Sequence, residues 1–223
     1  MRSIICLFAG LAVCCAALPA AAQDQPILSA EAEFKRFARS AQAAFASGRY
    51  AEALQMSREA YAFAAAELGP THPLALRALN DMAVIHQLRG DNDAALPLAL
   101  RAAGELERTA GPDHPDTLNA LANLAQLHVA RGEQAQAEPL LRRVYGSRQR
   151  TLGVDQEPTL NALLELAVFL KRAGRLRELA PQLARAAETA LGRYGPDSAI
   201  SRDLKAAAAA ARGTPADAGD SGE

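Results

Sequence analysis

Tryptophan is absent from this chain, and only 4% of its residues are aromatic. Cysteine is confined to Cys6, Cys14 and Cys15. Without that first segment the chain has no disulfide, no thiolate metal site and no cysteine nucleophile. Charge nearly cancels: 24 Lys and Arg against 25 Asp and Glu leave a formal −1. That balance offers no basic surface for nucleic acid. The familiar catalytic signatures are missing as well, with no HExxH, no GxSxG and no phosphate-cradling glycine loop ahead of a helix. Asp91-Asn92-Asp93 begins like a calcium loop, but the later ligands and the glycine of that motif do not follow. These absences predict a protein that is not an enzyme and that carries no cofactor and no metal.

What is present is alanine. Half of the 223 residues are hydrophobic, and much of that half is alanine, a composition that suits closely packed helices better than sheets. The N-terminus has its own character. Arg2 gives a positive end, Ile4 to Leu18 is apolar, Pro19 breaks the run, and Ala20-Ala21-Ala22 offers a small-residue cleavage site. Residues 1–22 therefore read as a secretory signal peptide of bacterial type. The expected mature chain starts at Gln23, in a periplasm or outside the cell, with no transmembrane span. Two alternatives are a retained membrane anchor, since the apolar stretch approaches spanning length, and lipid modification at Cys14. The small residue that would precede such a cysteine is replaced by Val13.

Behind a short leader, residues 23–28, the chain repeats. Gly69, Gly111, Gly153 and Gly195 stand 42 residues apart, and Gly48, Gly90, Gly132 and Gly174 keep the same step. Two phase-locked series over most of a chain are the signature of a solenoid. The units are 29–68, 69–110, 111–152 and 153–194, followed by a capping helix over 195–212 and a small, polar, acidic tail over 213–223 that is expected to be disordered. Each unit reads as two helices. In the third, Leu121, Leu124, Ala125 and His128 recur at helical spacing, Gly132 reverses the chain, and Glu133 to about Arg150 returns it. Pro73 and Pro115 are placed to start first helices, where a missing N–H costs nothing. Pro97, Pro139 and Pro181 also keep the 42-residue step, early in second helices. Leu68, Ala110, Leu152 and Tyr194 precede the junction glycines and are expected to pack beneath them.

The order Leu-x-x-Leu-Ala-x-x-His-x-x-x-Gly-x-x-x-x-Ala, from Leu121 to Ala137, resembles the tetratricopeptide repeat. His86 and His128 stand where that family usually has tyrosine. The period is longer than the usual 34; with its Leu-Gly-Pro-Asp-His-Pro-type junction it is similar to the kinesin light chain class, in an exported bacterial member. The resemblance covers about Ser29 to Arg212. It implies an all-α, right-handed superhelical solenoid of antiparallel helix pairs. It also implies binding of a protein or peptide in a concave groove lined by first helices.

Counted back from each turn glycine, three sets of positions face that groove: Lys35, Arg77, Asn119 and Asn161; Arg39, Asp81, Asn123 and Glu165; Gln42, Val84, Gln126 and Val168. Steps of four and three keep them on one helix face, and Asn80 lies beside Asp81. Asparagine is a mediocre helix former, yet its carboxamide can donate to and accept from a peptide backbone at once. The candidate partner-binding residues are accordingly Arg77, Asn80, Asp81, Asn119, Asn123, Gln126, Asn161 and Glu165. The plainer alternative is asparagines that are solvated or that bond between repeats. The arginines 142, 143, 148 and 150, and Lys171, Arg172, Arg175 and Arg177, read as ordinary surface cations before any acidic-partner site. His72, His114, His86 and His128 repeat with the scaffold and are assigned to it.

The expected function is a protein- or peptide-binding adaptor or scaffold of a bacterial cell envelope. A small-molecule or lipid carrier would instead need an enclosed apolar groove. An accessory subunit of an envelope enzyme is a third reading.

Overall fold

The computed structural model describes residues 25–213. The signal-peptide expectation and all of the tail beyond Gly213 lie outside those residues. Among the described residues nine α-helices and one short 3-10 turn follow one another: α1 (Gln25–Ala46), α2 (Tyr50–Glu67), α3 (Pro73–Leu88), α4 (Asn92–Ala110), α5 (Pro115–Ala130), α6 (Gln134–Leu152), α7 (Glu157–Arg172), the 3-10 turn Leu176–Leu179, α8 (Ala180–Tyr194) and α9 (Ala199–Arg212). No strand occurs among the described residues. The all-α solenoid of helix pairs is the architecture observed.

The turns inside the pairs are built alike. Gly132 takes φ +76°, which only glycine adopts without steric cost. The Glu133 N–H then reaches back to His128 O at 2.8 Å and the Gly132 N–H to Val129 O at 3.0 Å. This pair of bonds is the Schellman motif, which satisfies carbonyls that a helix end would otherwise leave open. The same two bonds close α1, α3 and α7. Between repeats the backbone is more extreme. Gly111 sits at φ 103°, ψ 162°, a region essentially closed to residues with a Cβ.

The histidines serve these joints, as expected of residues that repeat with the scaffold. His72 and His114 are N-caps, each Nδ1 accepting from the backbone N–H two residues on, at 3.3 and 3.2 Å. His128 places Nδ1 2.6 Å from Glu133 Oε2, and His86 places Nδ1 3.4 Å from Asp91 Oδ2. Pro73 and Pro115 open α3 and α5 as their positions predict. Pro97 and Pro139 differ from expectation, because they lie inside α4 and α6. Pro181 does stand near the start of α8, since the 3-10 turn takes up the residues before it. Leu176 and Leu179 are both buried there, as two residues eclipsed three apart in a 3-10 turn can be. Leu152 is 44% exposed and does not pack under its junction.

The core runs across repeat boundaries. Ala137 and Leu141 of α6 share a cluster with Leu160, Leu163 and Leu170 of α7 and Leu183 of α8. Neighbouring first helices also meet: α1 packs on α3, α3 on α5, and α7 on α9, whereas second helices have no comparable contact with one another. First helices therefore line the inner side of the curve.

Candidate functional site

On that inner side three cavities lie in series. The first, about 370 Å³, mixes apolar Ala38, Ala41, Phe45, Val84 and Ile85 with polar Gln42 and Ser57 and the Arg77, Asp81 and Asn123 side chains. The second, about 320 Å³, is lined by Arg77, Asn80, Asp81, Asp116, Asn119, Asn123, Arg148 and Glu165. The third, about 420 Å³, is lined by Gln126, Val129, Leu141, Glu165, Val168, Phe169 and Arg172, among others. The first two share Arg77, Asp81 and Asn123, and the last two share Glu165. The groove is mixed, then polar and charged, then largely apolar.

Six of the eight candidate residues meet in the middle cavity: Arg77, Asn80, Asp81, Asn119, Asn123 and Glu165. They converge because α3, α5 and α7 repeat one register, which brings residues 42 apart side by side. Gln126 lines the third cavity instead. Asn161 is exposed and lines none of the three. One side chain from outside the first-helix pattern does enter the middle cavity.

That side chain is Arg148 of α6. In the other units its position holds Ala64, Leu106 and Ala190, all at most 1% exposed. Arg148 is 9% exposed and reaches between two first helices, donating Nη2 to Asn119 Oδ1 at 2.7 Å and Nη1 to Pro158 O at 3.1 Å. Burial lowers its pKa, opposed by the charge of Glu165. The expectation of a surface cation is corrected for Arg148, because its column in the repeat is otherwise apolar and turns the side chain inward. Sequence alone misses Asp116, which Arg77 approaches at 4.0 Å.

The asparagines are partly spent within the protein. Asn123 donates Nδ2 to Asn80 Oδ1 at 3.2 Å across the repeat boundary, and Asn119 accepts from Arg148. The inter-repeat alternative is thus realised, while Asn123 Oδ1 and Asn119 Nδ2 keep their capacity for a ligand. The carboxyls are held above their usual range. Asp81 is pushed up to about 6, chiefly by desolvation, against the charge of Arg77. Its side chain still opens to groove water, so the walls restrict solvation without removing it. Glu165 is raised by burial, opposed by Arg148 and a hydrogen bond from Gln126, and its Oε2 is buried without a partner.

Residues 37–104 and 79–150, together more than half of the chain, match the tetratricopeptide repeat. The chain belongs to the tetratricopeptide repeat family. Solved structures similar to this tetratricopeptide solenoid include nearly identical TPR-like repeats of a kinesin light chain-type protein from Podosopora anserina (TM-score 0.70, 21% identity, covering 80% of this chain and 85% of that one). A point variant of that protein aligns equally well, covering 84% of its length. BtubC (BKLC) from P. vanneervenii aligns with TM-score 0.55 and 15% identity, over 86% of this chain and 90% of that one. No curated protein matches the sequence. Tetratricopeptide repeats form protein-interaction scaffolds, a fold that is typically not catalytic, and this chain is one of them at that level.

Several of the tetratricopeptide arginines pair from one repeat to the next. Arg131 meets Asp93 at 2.6 Å, Arg143 meets Glu107 at 2.6 Å, Arg150 meets Asp113 at 3.2 Å, and Arg175 meets Glu138 at 2.8 Å. Arg142 bridges Glu138 and Glu178. They pair on the surface, where solvent screening and side-chain entropy leave each ion pair little net effect. Among the described residues no group of three or more His, Cys, Asp or Glu is arranged to hold a metal, and no helix is long and apolar enough to cross a membrane.

Proposed function

We propose that this chain is an exported adaptor of a bacterial cell envelope that holds an extended segment of a partner protein in its inner groove. The observation that carries the reading is the middle cavity. Three successive repeats and Arg148 supply it with polar groups that remain partly free, as a bound backbone requires. Arg77, Asn80, Asp81, Asn119, Asn123 and Glu165 contact the segment, with Gln126 beside them and Asn161 at the groove's margin. The protein acts by binding rather than by catalysis. The charged lining counts against a lipid or small-molecule carrier, whose pocket would be enclosed and apolar. Export rests on the apolar N-terminal run and its alanine cleavage site.

A photo-crosslinking residue at Asn119 should capture a partner in living cells, and one at the exposed Gln149 on α6 should not. Equal capture at both positions would remove the groove from the reading. Cell fractionation with N-terminal sequencing should recover a mature chain beginning at Gln23 outside the cytoplasm; recovery of the intact chain in the cytoplasm would defeat export.

A further inference from the structure

We infer that the partner segment carries a lysine or arginine that enters the middle cavity between Asp81 and Glu165, with apolar side chains in the two flanking cavities. This rests on the groove reading above and names the chemistry of what the groove holds.

The argument is an account of unmet charge. Three carboxylates (Asp81, Asp116, Glu165) and two guanidiniums (Arg77, Arg148) line the cavity. Both Nη groups of Arg148 are already committed, to Asn119 and to Pro158. The Arg77 guanidinium comes only to 4.0 Å from Asp116. Among the described residues Asp81 makes no hydrogen bond or ion pair, although the charge of Arg77 acts on it, and Glu165 leaves Oε2 buried without a partner. The cavity therefore lacks cations and not anions. Restricted solvation raises both carboxyls above their ordinary range, although Arg77 opposes the shift at Asp81 and Arg148 and Gln126 oppose it at Glu165.

The placement of these groups fits an ammonium or guanidinium. Asp81, Asn123 and Glu165 occupy one register position in three successive repeats. Asn123 spends its Nδ2 on Asn80, which leaves its Oδ1 facing the cavity as an acceptor. Two carboxylates with an amide oxygen between them form a set of acceptors for a group that has only donors. On one side the cavity continues into Phe45, Val84 and Ile85, and on the other into Leu141, Val168 and Phe169. Alternating residues of an extended chain would meet walls of those kinds.

The test uses three fluorescein-labelled synthetic peptides with identical apolar flanks and a central lysine, alanine or glutamate, titrated with the protein and read by fluorescence anisotropy. The lysine peptide should bind roughly ten-fold more tightly than the alanine peptide, and the glutamate peptide most weakly. The preference should shrink in about 1 M salt, where screening acts over ~3 Å. The double variant Asp81→Asn, Glu165→Gln keeps size and shape, so it should fold and bind the lysine and alanine peptides within about two-fold of each other. Equal affinities in the unaltered protein, or a preference for glutamate, overturn the inference while the groove reading stands. Failure of all three peptides to bind overturns it as well, and the crosslinking at Asn119 then decides the groove by itself.

Discussion

Units three and four follow one 42-residue plan and execute it differently. In unit three, His114 caps α5, and the buried Thr117 donates Oγ1 to Gly111 O at 2.8 Å. The second helix, α6, is continuous from Gln134 to Leu152. In unit four, Gln156 provides no side-chain cap, Thr159 is buried with its hydroxyl unpaired, and the return path is a 3-10 turn followed by the shorter α8. At the junction Glu157-Pro158 replaces the His-Pro pair, which shifts proline by one residue and removes the histidine cap. The repeat specifies the packed core in both units; the joints depend on a few side chains that only one of them has.

The largest test of that comparison is the shared core. Leu118 and Leu160 are equivalent and are 2% and 1% exposed. Leu118→Ala and Leu160→Ala should each cost ~2–5 kcal/mol in denaturant unfolding, and nearly the same amount. A much smaller cost at Leu160 would mean that unit four frays before the rest.

The threonines should separate the two units next. Thr117→Val removes a made hydrogen bond and leaves the Gly111 carbonyl short of a donor, at ~1–2 kcal/mol. Thr159→Val removes an orphaned hydroxyl and should be neutral or stabilising. Equal losses at both positions would break the contrast.

The caps give a smaller difference. His114→Ala should cost ~0.5–2 kcal/mol, and Gln156→Ala should leave the melting temperature almost unchanged. Gln156→Ser would sharpen the comparison by installing in unit four the kind of cap that Ser198 provides for α9, raising the melting temperature slightly.

The smallest effect concerns the groove. Asn123 of unit three and Glu165 of unit four are equivalent, and burial raises the Glu165 pKa while Arg148 and Gln126 oppose the shift. The folded state therefore binds a proton more readily than the unfolded chain does, and stability falls as pH rises from the unfolded value through the folded one. Glu165→Gln should melt at a higher temperature than the parent at pH about 8 and at the same temperature at pH about 4, where both carboxyls are protonated. Asn123→Asp, placed between Asp81 and Glu165, should lower the melting temperature at the higher pH.

Much of this molecule was legible because its order is local and periodic. Gly132 must turn where it does because no residue with a Cβ takes its φ cheaply. Pro115 starts α5 because its missing N–H falls where no bond is due. His114 was read as a structural part from its recurrence alone, and it proved to be a cap. Six of eight candidate residues converge in one cavity because a helix face is set by spacing, and the repeat carries that face from unit to unit. Asn161 and Gln126 show the limit of that reading, since the same register places them outside the polar cavity. Arg148 is legible in principle as the one arginine in a column of alanine and leucine, but its arginine neighbours in sequence group it with the surface cations.

The sequence by itself determined the period, the helices, their stops and the inner face, since each follows from hydrogen bonds and contacts among near neighbours in the chain. Only the tertiary structure decided which polar groups are already spent. Asn123 meets Asn80 from one repeat away, and Arg148 reaches Asn119 and Pro158 across helix boundaries. Those bonds depend on how the pairs stack, and a side chain's spare donors and acceptors can be counted only after its distant neighbours have taken theirs.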